Sequence, residues 1–340
     1  MPLLWGSAFP FFCFFFFQTP GDSPAGVLGF PGRPRRRFPK PDPGRSANST
    51  QKGKQPQLMN LDAGRTIRVG HSPDSDDAFM FYALTQDKLD TEGLHFVHQL
   101  EDIETLNRRA LNGELEVSAV SIHAFAHLAD RYALLASGSS MGDRYGPTVI
   151  TREPATLDDL RTKTIAIPGR LTTAYLTLQL LLGKDVAVTV MPFDQILPAV
   201  AEGRVDAGLI IHEGQLYYGD RGLHKVVDLG QWWFEETGLP LPLGGNVVRK
   251  DLGDELVATI ARLLRESIVY ALEHRPEALE YALRYARDLD PALADRFVGM
   301  YVNDWTVDYG PKGREAVRTL LARAADAGLI PGGLDVQFVG

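Results

Sequence analysis

The sequence predicts an α/β fold divided into two lobes with a ligand cleft between them. From Arg65 onward, short β-branched runs alternate with longer stretches of helical periodicity, the pattern of a largely parallel sheet flanked by helices. Two crossings, Tyr145-Gly146-Pro147 and the run from Leu239 to Asn246, bracket a compact βαβαβ block. Polar side chains fit for chemistry gather where strands give way to helices, and ligands of α/β folds sit outside the carboxyl ends of strands. One continuous doubly wound sheet is the alternative topology.

Taken in order, the β-branched runs predict strands over Ile67–Gly70, Leu94–Gln99, Val117–Val120, Leu134–Ser137, Thr148–Thr151, Thr164–Ile167, Ala187–Met191, Ala207–Ile211 and Lys225–Asp228. Helical periodicity between them predicts helices over Ala78–Thr85, Ile103–Asn112, Thr173–Leu182 and Ile196–Glu202. A long helix follows over Glu255–His274, with Leu256, Ile260, Leu263, Leu264, Ile268, Ala271 and Leu272 on one face. Pro276 stands where a further helix can begin, because proline lacks only an N–H that a first turn leaves unbonded. The chain then leaves one lobe, builds a second and returns. Residues 59–149 and 247–340 are expected to form the first lobe and residues 150–246 the second.

Composition narrows the function. With one cysteine, Cys13, the chain can build neither a disulfide framework nor a multi-cysteine zinc or iron–sulfur site. The apolar run near residues 9–17 is about half the ~20 residues that a membrane-spanning helix requires. Residues 1–58 hold 10 of the 22 prolines and carry a charge of +6, so the remainder, at −14, offers no basic stripe for nucleic acid. The cluster Arg33 to Arg37 lies among Pro and Gly and reads as a solvated run more readily than as a nucleic-acid or membrane tether. A secretory signal places its basic residues before the apolar stretch, and here the order is reversed. Residues 1–58 are therefore expected to be a disordered upstream extension, or the product of a misassigned start, with the folded body beginning at Met59. The expected location is the cytoplasm.

Three turns share one architecture of strand, polar residues and helix. In the first, Val69-Gly70 leads through His71-Ser72-Pro73-Asp74-Ser75-Asp76-Asp77 into an aromatic helix face. Ser75 as N-cap with Asp76 and Asp77 near the helix dipole accounts for one aspartate, and the surplus points to Asp77 as a cleft residue. In the second, Ala119-Val120-Ser121 runs into Ile122 and His123; in the third, Arg170-Leu171-Thr172-Thr173 runs into Ala174 and Tyr175. Free N–H groups at a helix start beside a hydroxyl suit a carboxylate or phosphate, although Ser and Thr are also the commonest caps. One such turn in each lobe is the informative coincidence.

His123 and His127 have the i, i+4 spacing of helix-borne metal ligands, but the glutamate of H-E-x-x-H is missing, so no metal site is expected. P-loop and G-x-G-x-x-G motifs are absent. His212 follows the apolar strand ending Ile210-Ile211 and precedes Glu213-Gly214, a strand-end position from which a histidine can act as general base; a core-edge histidine bonded to backbone is the plainer alternative. Trp232-Trp233-Phe234 reads either as a platform for an aromatic ligand or as packing.

The run Ser72-Pro73-Asp74-Ser75-Asp76-Asp77-Ala78-Phe79, the run Leu209 to Glu213, and Asp228-Leu229-Gly230-Gln231-Trp232-Trp233 together resemble the 1,4-dihydroxy-6-naphthoate synthases of the futalosine route to menaquinone. Gly169 to Tyr175 and Gly238-Leu239-Pro240-Leu241-Pro242-Leu243-Gly244 extend the resemblance, which covers about residues 67–310 in matching order. It implies a two-lobed periplasmic-binding-protein-like fold of type 2, and a cofactor-free conversion of cyclic dehypoxanthine futalosine, a small-molecule carboxylate. By motif position it implies His212 as proton acceptor, Ala119, Val120, Ser121, Thr172 and Thr173 in contact with substrate, and Ser72 and Asp77 in the pocket. Where that family often has Cys-Pro-Asn-Asp-Thr, this chain has Asp74-Ser75-Asp76-Asp77-Ala78. A solute-binding protein for a small anion and a chorismate-dehydratase-like enzyme are the other functions such a fold accommodates.

Overall fold

Two sheets organise the computed structural model, which describes residues 65–286 and 290–340. The extension over residues 1–58, with Cys13 and the Arg33 to Arg37 cluster, lies outside the described residues. The strands are β1 (Arg65–His71), β2 (Leu94–Leu100), β3 (Val117–Ser121), β4 (Tyr132–Leu135), β5 (Ser140–Gly142), β6 (Thr148–Thr151), β7 (Ile165–Ile167), β8 (Val188–Val190), β9 (Ala207–Ile210), β10 (His224–Asp228), β11 (Leu241–Arg249) and β12 (Phe338–Val339). The larger sheet has the order β12-β4-β11-β3-β1-β2 with β5 on β11, and the smaller has β10-β6-β9-β7-β8.

The sheets are mixed rather than largely parallel. β1 pairs in parallel with β2 and β3, and β7 with β8 and β9. By contrast, β11 runs antiparallel to β3, β4 and β5, and β6 runs antiparallel to β9 and β10. The antiparallel members are the crossings themselves. The run from Leu239 to Asn246, read from its Pro and Gly as a connection, enters β11, a nine-residue strand at the centre of the larger sheet. Pro242 is tolerated there because the register between β11 and β5 shifts at Pro242–Gly244, where a ladder bond is not required. β4 begins two residues before the predicted run, and the chain turns at Gly138, whose φ of +81° favours glycine.

Among the helices, Thr173–Leu182 matches its prediction, Ile103–Leu111 ends one residue before its predicted end, and Asp254–Glu273 is shifted from its prediction by one residue at each end. The predicted helix 78–85 is instead two short helices, Ser75–Met80 and Tyr82–Thr85, broken at Phe81, whose ring stacks on His71 at 4.5 Å. The long helix buries Ile260, Leu263, Leu264, Ile268 and Ala271, each large residue contributing roughly 1.5–3 kcal/mol, and packs with Phe79 and Phe81 in one apolar cluster. Val257 and Ala261 are buried with them, while Leu256 and Leu272 lie at the margin. Its side of the larger sheet is further anchored by Ser267 Oγ, which donates to the Met80 carbonyl at 2.8 Å. Pro276 sits in the first turn of the helix Arg275–Ala282.

Candidate active site

β1, β3 and β9 end around one cavity, and so does the start of the helix Thr173–Leu182. The cavity opens to solvent, and with that open space it spans about 780 Å³. Ser72, Asp77, Ala119, Val120, Ser121, Thr172, Thr173 and His212 all line it, so every site residue expected from the sequence reaches the same space. β3 is buried along its whole length and is held between β1 and β11, which brings Ala119 to Ser121 to the cavity wall.

Part of the lining carries hydroxyls. Asn107, fully buried on the helix Ile103–Leu111, accepts from the Ser121 N–H through Oδ1 at 2.8 Å and donates from Nδ2 to Ser121 Oγ at 3.1 Å. That leaves the Ser121 O–H to donate elsewhere. Thr172 caps the helix Thr173–Leu182: its Oγ1 accepts from the Tyr175 N–H at 3.3 Å and donates to the Gly169 carbonyl at 2.8 Å. Thr173 Oγ1 donates to the Leu243 carbonyl at 2.6 Å and accepts from the His123 N–H at 3.1 Å. The expected free threonine hydroxyls are thus committed to protein partners, because both sheets converge on this turn. The donors that remain are the N–H groups of Thr173 and Ala174, which open the helix and have no carbonyl one turn earlier to bond. Beside them Glu104 accepts from the Leu171 N–H at 3.0 Å, and a side chain at Gly169 would strike the Glu104 carboxylate.

Another stretch of the lining is acidic. Asp74, Asp76 and Asp77 line the cavity, and no Lys or Arg is among the described residues that do. Ser75, expected as the cap, lies inside the helix, and Asp74 holds the cap position without any side-chain cap bond. Asp77 Oδ2 accepts from the Ser72 N–H at 2.6 Å. Burial pushes the Asp77 carboxyl up to about 7, the Ser72 N–H holding it down and the charge of Asp74 raising it further. Asp76 is raised well above the carboxylate range by burial and by Asp77, Asp74 and Glu213. His212, two residues past the end of β9 at Ile210, brings Nδ1 to 3.2 Å from Asp74 Oδ2 and packs its ring on Phe193 at 3.9 Å between centroids. Its Nε2 is buried with no hydrogen-bond partner among the described residues. Asp74, His212 and Glu213 present ligand atoms within 4.8 Å of one another, a spacing that a cation can bridge.

Other expectations change. His123 is buried, its Nδ1 lies 3.2 Å from the Thr172 carbonyl, and burial pulls it down to about 4. It braces the threonine turn. Trp233 is fully buried with Nε1 donating to the Pro240 carbonyl, and none of Trp232, Trp233 and Phe234 reaches the cavity, so this cluster is packing. Three contributors escape a reading of local sequence: Asn246 on β11, and Phe297 and Tyr301 on the helix Pro291–Tyr301. Asn246 is buried, and its Nδ2 has no partner among the described residues. Gly138 leaves room for that amide, which a Cβ there would meet. Its signal in the sequence is an amide inside an apolar run, legible only once that run is known to be a strand.

The menaquinone-biosynthesis family profile matches residues 67–326. Two 1,4-dihydroxy-6-naphthoate synthases are close relatives: that of Thermus thermophilus is 45% identical over 77% of this chain and 95% of its own, and that of Streptomyces coelicolor 40% identical over 78% and 95%. The chain belongs to the menaquinone-biosynthesis family. Among solved structures, a protein of Archaeoglobus fulgidus is 50% identical, with a TM-score of 0.75 over 78% of this chain and 98% of that one. The alkanesulfonate-binding protein of Xanthomonas axonopodis shares 15% identity with a TM-score of 0.56 over 80% and 96% of the two chains, a likeness of fold alone. The menaquinone-biosynthesis chain thus has the two-lobed periplasmic-binding-protein-like architecture that the motifs imply. No helix among its described residues is long and apolar enough to cross a membrane.

Proposed function

We propose that this protein is a carbon–carbon lyase that converts cyclic dehypoxanthine futalosine to 1,4-dihydroxy-6-naphthoate in menaquinone biosynthesis, with His212 as general base. One observation carries the reading: residues from four separate motifs, Ser72 and Asp77, Ala119 to Ser121, Thr172 and Thr173, and His212, line a single cavity. It is supported by the two relatives named 1,4-dihydroxy-6-naphthoate synthase, which align over 95% of their own length.

The electrostatics orient the substrate. Its carboxylate belongs against Ser121 and the opening N–H groups of the helix Thr173–Leu182, which donate, rather than against the three aspartates that also line the cavity. That pose turns the ring system toward His212, with Phe297 and Tyr301 available to cover it. His212 Nε2 then takes a proton from a substrate carbon. The electron pair left behind drives carbon–carbon cleavage and aromatisation, and the departing fragment takes up a proton, so the step is redox-neutral. The larger sheet is assigned to the first lobe and the smaller to the second, with the cavity between them; the chain changes sheet at Thr148 and at Leu241, a few residues before the expected bounds of 149/150 and 246/247. The working compartment is the cytoplasm, and the partner is this small molecule rather than nucleic acid or membrane.

The test is incubation of the purified protein with cyclic dehypoxanthine futalosine, following the naphthoate by mass spectrometry. Product formation is expected. Binding of that compound without turnover would make the protein a solute receptor, and loss of water from chorismate instead would make it a dehydratase.

A further inference from the structure

We propose that Asp74 is the positioning residue for His212: its carboxylate holds the imidazole as the Nδ1–H tautomer and leaves the Nε2 lone pair to the cavity. The inference rests on the assignment of His212 as base, and it can be tested without substrate.

Asp74 stands at the N-cap of the helix Ser75–Met80, where an aspartate ordinarily accepts from the backbone N–H groups of the first turn. It makes no such bond. Its Oδ2 instead faces His212 Nδ1 at 3.2 Å and accepts from Ser72 Oγ, and the residue is 2% exposed. A buried carboxylate that forgoes its own helix start is committed elsewhere. The Ser72 hydroxyl fixes the oxygen that the imidazole meets, and Phe193, packed on the ring, limits its rotation. With Nδ1–H donated to Asp74, a neutral imidazole must carry its lone pair on Nε2, the atom that has no protein partner among the described residues.

The chemistry gains in two ways. The tautomer is the one that can accept a proton from a ligand in the cavity, and the imidazolium formed sits against a fixed negative charge, as in other aspartate–histidine pairs. Among the described residues, Asp76, Asp77 and Glu213 are further titratable groups around this pair. Asp74 follows β1 of the larger sheet and His212 follows β9 of the smaller, so the pair also joins the two sheets.

The closing experiment is ¹⁵N NMR of the full chain labelled at its eight histidines, with His212 assigned by loss of its signals in His212→Gln. A protonated Nδ1 and an unprotonated Nε2 are expected in neutral wild type, a mixed or inverted tautomer in Asp74→Asn, and recovery of the wild-type pattern in Asp74→Glu. Turnover should fall roughly 10²- to 10⁴-fold in Asp74→Asn with KM changed only a few-fold. Circular dichroism controls for folding; if Asp74→Asn does not fold, Ser72→Ala takes its place, with a smaller loss of Nδ1–H character. An Nε2–H tautomer in wild type, or an unchanged tautomer in a folded Asp74→Asn, overturns the proposal. A stoichiometric divalent cation in the purified protein, lost together with the Asp74 carboxylate, would also overturn it by making Asp74 and His212 ligands. A protein that shows the expected tautomers yet fails to convert the futalosine substrate keeps the dyad and loses the reaction.

Discussion

Asp77→Asn should stabilise the folded protein above neutral pH and lose that advantage in acid. Asp77 is buried at the cavity wall with Asp74 and Asp76 beside it, and its carboxyl is pushed up to about 7 against an ordinary 3.8. Between those values the native state binds more protons than the unfolded chain. Stability from this group is therefore fully present below the unfolded value and is lost as pH rises through about 7. At about 1.4 kcal/mol per unit, ionising Asp77 in the fold costs on the order of 4 kcal/mol, and roughly 2–4 kcal/mol once relaxation and sharing with Asp76 are allowed for. Asparagine cannot ionise, and its carbonyl still accepts from the Ser72 N–H. For a body of this size, each kcal/mol moves Tm by about 2–4 °C, so the variant should melt roughly 5–10 °C above wild type near pH 8, keep about a third of that advantage near pH 5 and lose it below about pH 4. Calorimetry across that range, read as the difference between the two proteins, isolates Asp77 from every other titrating group. A difference independent of pH would refute the reasoning, and a variant less stable throughout would show that the ionised carboxylate is structurally required.

His212→Asn should lower turnover roughly 10²- to 10⁴-fold while substrate still binds, as seen by steady-state kinetics and calorimetric titration, since the carboxylate contacts come from other turns. Asn246→Ala removes a buried donor that has no protein partner among the described residues; KM should rise from a few-fold to about tenfold while Tm stays level or increases. His123 is held neutral down to about 4, so the unfolded chain binds a proton that the fold does not between about pH 6.5 and 4, and stability falls as pH drops through that window. His123→Gln should flatten the acid limb of the Tm profile, and an unchanged slope would assign acid loss to His71 and His98, which burial also depresses, to about 3 and about 4.

Alternation of β-branched runs with helical periodicity located nine of the strands to within a few residues, because strand and helix repeats are local properties of the chain. The long helix Asp254–Glu273 was legible for the same reason, its apolar face repeating over five turns. The candidate site was legible as a set of turns: strand-end polar residues at Ser72 to Asp77, Ala119 to Ser121, Thr172 and Thr173, and His212. What no window of sequence contained was direction. β11 looked like a loop because Pro242, Gly244 and Gly245 are poor strand residues, and it is a strand only because β3, β4 and β5 supply its ladder.

By itself, then, the sequence determined the alternation of elements, the polar turns and the family resemblance, all of which are written in neighbouring residues. Tertiary structure alone decided how those turns bond once they meet. The Thr173 hydroxyl reads locally as a free donor, yet Leu243 and His123, far away in the chain, consume it. Ser75 reads locally as the helix cap, yet Asp74 holds that position and turns its carboxylate to a histidine from the other sheet rather than to its own first turn. Hydrogen-bonding capacity is a property of a residue, but its allocation depends on which groups the fold buries together, and long-range packing is what makes that choice.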